Sequence, residues 1–174
     1  MTGPQYESRV FPGPGALSEL LRPWPSVRRA LFADGVPKSF FGHRYRADPD
    51  VTLLDRPDGR AIVRFGSSGL ADAIGIDLAT GHVVEQINAP GLPLPFVNTS
   101  IGQFTQTIKA VIDRFPYYGQ DADDTEMQAA AADLRDIIRR IDPAAIVPDR
   151  YWSTLADDAE NGDLSTGEVL AAGQ

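Results

Sequence analysis

Residues 73–79 alternate, with Ile74, Ile76 and Leu78 on one side and Gly75, Asp77 and Ala79 on the other. A period of two is that of a strand with one buried face. Beyond the tight-turn pair Thr80-Gly81, Val83, Val84 and Ile87 supply a return strand. A Pro/Gly loop then leads to Phe96-Val97 and to Asn98-Thr99-Ser100, whose side-chain oxygens suit a helix start. Ile101, Phe104, Ile108, Val111, Ile112 and Phe115 follow at helical spacing on one face. Upstream, 51–54 and 61–65 flank Arg56-Pro57-Asp58-Gly59 and predict another hairpin, with Gly66-Ser67-Ser68-Gly69 as a loop after it. Downstream, Met127, Ala130, Ala131, Leu134, Ile137, Ile138 and Ile141 mark a helix over 125–141 that Asp142-Pro143 ends. Pro148-Asp149 opens a last helix with Tyr151, Trp152 and Leu155 inward.

Toward the N-terminus, 16–21 and 25–32 read as short helices, the second stopped by Gly35-Val36-Pro37. Phe40-Phe41 and Tyr45 open a section without an assignable period. Residues 1–15, rich in Pro and Gly, read as a flexible or extended lead-in, and 163–174 as a loose acidic tail. Between them, 16–162 form one α+β domain, a mainly antiparallel sheet flanked by helices.

Composition narrows the chemistry. A chain of 174 residues, 43% apolar, buries a core without covalent staples. The lack of cysteine excludes disulfides, thiolate zinc sites and a cysteine nucleophile. No basic flank joins an apolar run at the start, and no window reaches the ~20 apolar residues of a membrane span, so the expectation is a cytoplasmic protein.

Charge is uneven. Residues 1–120 hold 11 acids and 12 bases, a net of +1, whereas 121–174 hold 13 acids and 4 bases, a net of −9; together these give the total of −8. Phosphate binding needs a basic face, so nucleic acid is not expected as a direct partner. An acidic C-terminal third favours a basic partner or serves solubility.

Candidate catalytic motifs fall away one by one. Gly66-Ser67-Ser68-Gly69 is followed by Leu70-Ala71-Asp72, without the Lys and Ser/Thr of a phosphate loop, and lacks the Gly-x-Ser-x-Gly frame of a nucleophile elbow. His82 reads as an exposed turn residue, and His43 lies among Arg44 and Arg46, a poor setting for a metal. Asp121, Asp123, Asp124 and Glu126 resemble part of a calcium loop but lack its central glycine, and fit helix N-terminal acids better. Tyr151-Trp152 could form a stacking platform, yet beside Leu155 they read as core. No nucleophile, base and orienting group can be named together, so no catalytic residue, cofactor or metal is assigned.

The order of these pieces resembles the SUKH superfamily, and its SUKH-4 branch most closely. The matching features are Gly35-Val36-Pro37, Phe65-Gly66 through Ile76-Asp77, Ala79-Thr80-Gly81-His82-Val83-Val84 and Phe96-Val97-Asn98-Thr99-Ser100 before a helix with Phe104 inward. Ile141-Asp142-Pro143-Ala144 and Tyr151-Trp152 complete the series, which runs over 17–162. The resemblance implies a non-catalytic bacterial immunity protein that binds and occludes a cognate polymorphic toxin, often a nuclease or deaminase. It also implies structural roles: Thr80-Gly81 shaping a turn, Asn98 and Ser100 capping a helix, Trp152 filling the core. It does not locate the toxin surface. A basic toxin cleft would be met by acids, and the candidates are Asp121, Asp123, Asp124, Glu126, Asp157, Asp158, Glu160 and Asp163. The alternative is a small-ligand or regulatory module like the cell-wall-regulator relatives, with a closed apolar pocket near Phe40, Phe41 and Tyr45.

Overall fold

The structure is a computed structural model that describes residues 4–13, 15–41, 44–69, 72–87, 92–167 and 169. Six strands form one antiparallel meander, each paired with its neighbours in sequence. They are β3 (Ser39–Phe40), β4 (Tyr45–Asp55), β5 (Ala61–Ser68), β6 (Asp72–Asp77), β7 (Val83–Gln86) and β8 (Phe96–Asn98). The two expected hairpins are present: Leu53 faces Val63 across β4 and β5, and Ile76 faces Val83 across β6 and β7. A separate two-stranded ribbon joins β1 (Ser8–Arg9) to β2 (Val36–Pro37). The lead-in is therefore extended and anchored over its described part, with Phe11 buried in the core.

The N-terminal helices are short, α1 (Ala16–Leu20) and α2 (Pro25–Arg29). The chain then widens into a π-type turn at Ala30–Asp34, closed by the Gly35 amide donating to the Ala30 carbonyl at 2.8 Å. Three longer helices follow: α3 (Ile101–Asp113), α4 (Asp124–Ile141) and α5 (Tyr151–Glu160). Their apolar stripes are the ones the sequence spacing predicts. Phe104, Ile108 and Val111 of α3, Leu134 and Ile138 of α4, and Trp152 and Leu155 of α5 are all buried. Against them the sheet sets Phe65, Ile74 and Ile76. Tyr45, Phe65, Phe104 and Trp152 form a chain of tilted and edge-on ring contacts with centroids 5.1–6.3 Å apart, the arrangement aromatic quadrupoles favour.

Several elements depart from the expected pattern for identifiable reasons. Gly66 to Ser68 continue β5 instead of forming a loop, because a Cβ on Gly66 would lie 2.5 Å from the Tyr45 ring and only glycine lets that ring close over the strand. The unassigned Phe40 and Tyr45 pair across β3 and β4. The tail expected to hang loose is docked where it is described. Leu164 and Val169 are buried, the Leu164 amide donates to the Tyr118 hydroxyl at 2.8 Å, and the Thr166 amide donates to the Tyr118 carbonyl.

Gly81 is required twice over. Its φ is +76°, and a Cβ there would sit 2.4 Å from the Trp24 ring, which packs the N-terminal helices onto the β6–β7 turn. Gly81→Ala should cost about 2 kcal/mol from the left-handed backbone and the displaced indole together. A denaturant midpoint shifted accordingly, with a change in Trp fluorescence, would check this.

Candidate functional site

The two most specific sequence pieces meet in space. Asp142, just past α4 and 1% exposed, accepts from the Asn98 side-chain amide at 3.0 Å, the Thr99 amide at 2.7 Å and the Thr99 hydroxyl at 2.9 Å. Asn98 in turn accepts from the Trp152 indole at 2.8 Å. Gln103 reaches across from α3 to the Ile141 carbonyl at 3.2 Å. The strand β8, the end of α4 and the start of α5 are thus fastened by one buried polar network whose donors and acceptors match. Asn98 was expected to cap α3; Ser100 does so, accepting from the Gln103 amide, while Asn98 faces inward. The reason is that a partner 44 residues away outcompetes the local role.

The eight candidate acids are drawn to one helix pair, but most are already engaged. Asp123 caps α4 in a reciprocal box with Glu126, each accepting from the other's amide. Asp157 and Glu160 of α5 share one guanidinium, that of Arg135 on α4, at 2.6 and 2.7 Å. Asp158 points the other way and pairs with Arg44. The Asp163 amide donates to the Asp158 carbonyl, leaving the Asp163 carboxylate exposed. Among the described residues Asp121, Asp124 and Asp163 make no ion pair, and all three are exposed.

Because α4 and α5 run antiparallel, the first turn of α4 lies beside the end of α5. The Met127 sulfur comes within 3.2 Å of where a Gly162 Cβ would stand. Asp124 and Asp163 therefore share an end of the pair, with Asp121 just before α4. Eight acids against Arg44 and Arg135 leave this end of the pair negative, while Arg139, Arg140 and Arg150 stand at the other end; buried Ala130, Ala131, Leu134, Leu155 and Ala159 belong to the core that the two helices share.

The nominated catalytic pieces are accounted for structurally. Trp152 is core, and the Tyr151 hydroxyl donates to the Arg44 carbonyl at 2.7 Å. His82 is half-buried rather than exposed, edge-on to Phe96 with centroids 5.3 Å apart. His43 lies outside the described residues. Among the described residues no group of three or more His, Cys, Asp or Glu is placed to hold a metal ion. No helix of the described residues is long and apolar enough to cross a membrane.

Phe40 and Tyr45, near which a closed apolar pocket was expected, are core, and Phe41 stacks on Phe40 at 4.3 Å. An open cleft of about 400 Å³ lies instead beside Arg44, lined by Ser68, Glu85, Ile87, Pro95, Arg150 and Tyr151 among others. Burial pulls the Arg44 guanidinium below its usual range, with Tyr151 and Asp163 opposing. Burial pushes the Glu85 carboxyl up, against a hydrogen bond from Ser68 and with the help of Asp72. Sequence reading did not find this cleft, since its wall comes from five separate segments and carries no local motif.

Compared with known proteins, residues 15–158 match the family described as SUKH-4 immunity protein. No curated protein and no solved structure is significantly similar to the chain.

Proposed function

The chain belongs to the SUKH-4 immunity protein family, and from that premise we propose that it neutralises a cognate bacterial toxin by binding it and covering its working surface. The match over 15–158 carries this reading, because it spans the sheet and α3, α4 and nearly all of α5. Neutralisation by occlusion asks for a rigid, charged exterior and no reaction chemistry of the chain's own. The helix pair α4–α5 fits that need. A nuclease or deaminase that acts on nucleic acid presents a basic cleft to phosphate, and an acidic surface competes for it with fast, steered association.

The contact surface we propose is the end of the helix pair bearing Asp121, Asp124 and Asp163, with the shared Asp157 and Glu160 beside it. Asp158 and the capping acids Asp123 and Glu126 act chiefly inside the fold, so reversing them would confound binding with stability.

The test is association kinetics against the cognate toxin domain, sought in the adjacent reading frames. The association rate should fall as salt rises. The triple change Asp121→Lys, Asp124→Lys, Asp163→Lys should slow association about tenfold at low salt and leave dissociation nearly unchanged. An association rate indifferent to both salt and the triple change would remove this surface from the interface.

A further inference from the structure

The cleft beside Arg44 is lined by two bases, Arg44 and Arg150, and two acids, Glu85 and Asp149, of which Glu85 is the half-buried one. Glu85 sits half-buried on β7, with Ile74 of β6 directly opposite. Burial raises its carboxyl pKa, the Ser68 hydroxyl lowers it in opposition, and the neighbouring carboxylate of Asp72 raises it further. Among the described residues it has no cationic partner within ion-pair distance. A carboxylate withdrawn from water is costly unless a cation and further donors meet it.

The guanidiniums lining the same cleft do not supply that cation. Arg44 is engaged by Asp158, with the Tyr151 hydroxyl on its carbonyl. Arg150 lies exposed before α5, next to Asp149, an exposed acid that also lines the cleft at a positive φ of 57°. The remaining wall suits a long flexible side chain. Ile87 and Pro95 offer apolar surface for a methylene stem, Tyr151 an aromatic ring, and Ser68 and Thr154 hydroxyls for its polar head. A volume of about 400 Å³ lies within the usual range of binding pockets.

The geometry points to the Glu85 cleft as the receptor for a cationic side chain, an arginine or lysine of the partner protein, docked between β7 and the start of α5. This rests on the proposed role as a toxin-binding protein and names a second, shorter-range anchor for it. The acids of α4–α5 would set the speed of encounter, whereas a buried ion pair at Glu85 would set the lifetime of the complex.

Nα-acetyl-arginine amide serves as a probe that needs no toxin. Titrated into the full chain and followed by amide NMR, it should shift the resonances of Ser68, Glu85 and Tyr151, with weak, millimolar affinity. Glu85→Gln, which keeps shape and removes charge, should weaken that binding at least tenfold without lowering the melting temperature. In the toxin complex the same change should speed dissociation about tenfold and leave the salt dependence of association intact. Shifts that persist undiminished in Glu85→Gln, or that appear instead with Nα-acetyl-aspartate amide, would overturn the assignment, as would a silent cleft. Should the toxin still be neutralised with an unaltered dissociation rate in Glu85→Gln, the cleft is excluded while the immunity role stands. A chain that fails to bind the toxin at all, yet takes the arginine probe at Glu85, would overturn the role and leave a cation site.

Discussion

Asp142→Ala is expected to lower the unfolding free energy by about 4 kcal/mol. Three hydrogen bonds converge on that buried carboxylate, from the Asn98 amide and from the backbone and hydroxyl of Thr99. Removing it strands those donors in a place water does not reach, and each buried, unsatisfied group costs about 1–3 kcal/mol. The loss also frees the end of α4 from β8, so the damage should not stay local. Asp142→Asn separates charge from connectivity. Its carbonyl can take the position that accepts from Asn98 and the Thr99 amide, and the Thr99 hydroxyl can turn to accept from its amide. That variant should cost about 1 kcal/mol or less. Urea unfolding of the two variants against the parent chain checks both numbers. Equal, small losses would show that the network contributes little to stability.

Trp152→Ala should be comparable in size, about 3–5 kcal/mol, since it empties the site where the rings of Phe40, Phe104 and Tyr151 meet. Trp152 is fully buried, with its ring 5.8 Å from Phe40, 6.3 Å from Phe104 and 5.0 Å from Tyr151 by centroid. It also gives up the indole donor to Asn98. Trp152→Phe retains much of the apolar volume and loses the donor, so it should sit between the two, near 2 kcal/mol. Against a total stability of about 5–15 kcal/mol for a domain of ordinary size, the alanine variant would be partly unfolded at growth temperature. Thermal melting followed by near-UV circular dichroism reads this directly. A melting temperature within a degree or two of the parent would contradict the packing described.

What the sequence made legible was whatever depends on neighbours in the chain. The strand around Ile74 and Ile76, the Thr80-Gly81 turn and the stripes of α3 and α4 each arise from the local sequence, and each is present in the fold, although β6 is buried on both faces from Ala73 to Asp77 where the alternation predicted one. The family resemblance drew on the same local pieces and agrees with the match over 15–158. What was not legible depends on distant partners. Nothing near Asn98 shows that Asp142 and Trp152 will claim its side chain, so it read as a helix cap. Nothing near Asp157 and Glu160 shows that Arg135 will sit between them, or that Arg44, more than a hundred residues away, will take Asp158. Counted as a run of charge, those acids looked alike; in the fold they divide into structural and free ones. The Glu85 cleft escaped notice for the same reason, because its lining gathers residues from Arg44 to Thr154.

The division matters for function. A surface that binds by electrostatic attraction must offer charge that the fold itself does not consume; among the described residues Asp121 and Asp124 meet that condition, while the exposed Asp163 also attracts the Arg44 guanidinium. The polar network fastens the opposite end of the helix pair; beside the charges themselves the Asp123–Glu126 capping box and the docking of Leu164 on Tyr118 hold the chain, so that little ordering is left to be done on binding.

The most direct test of the central claim is a titration of the cognate toxin domain's activity with the purified protein. Binding by occlusion predicts a linear loss of activity that ends at one molecule of this protein per toxin, with full activity and unchanged mass when the toxin is recovered from the complex. Inactivation by a small fraction of an equivalent, or a toxin recovered chemically altered, would contradict it.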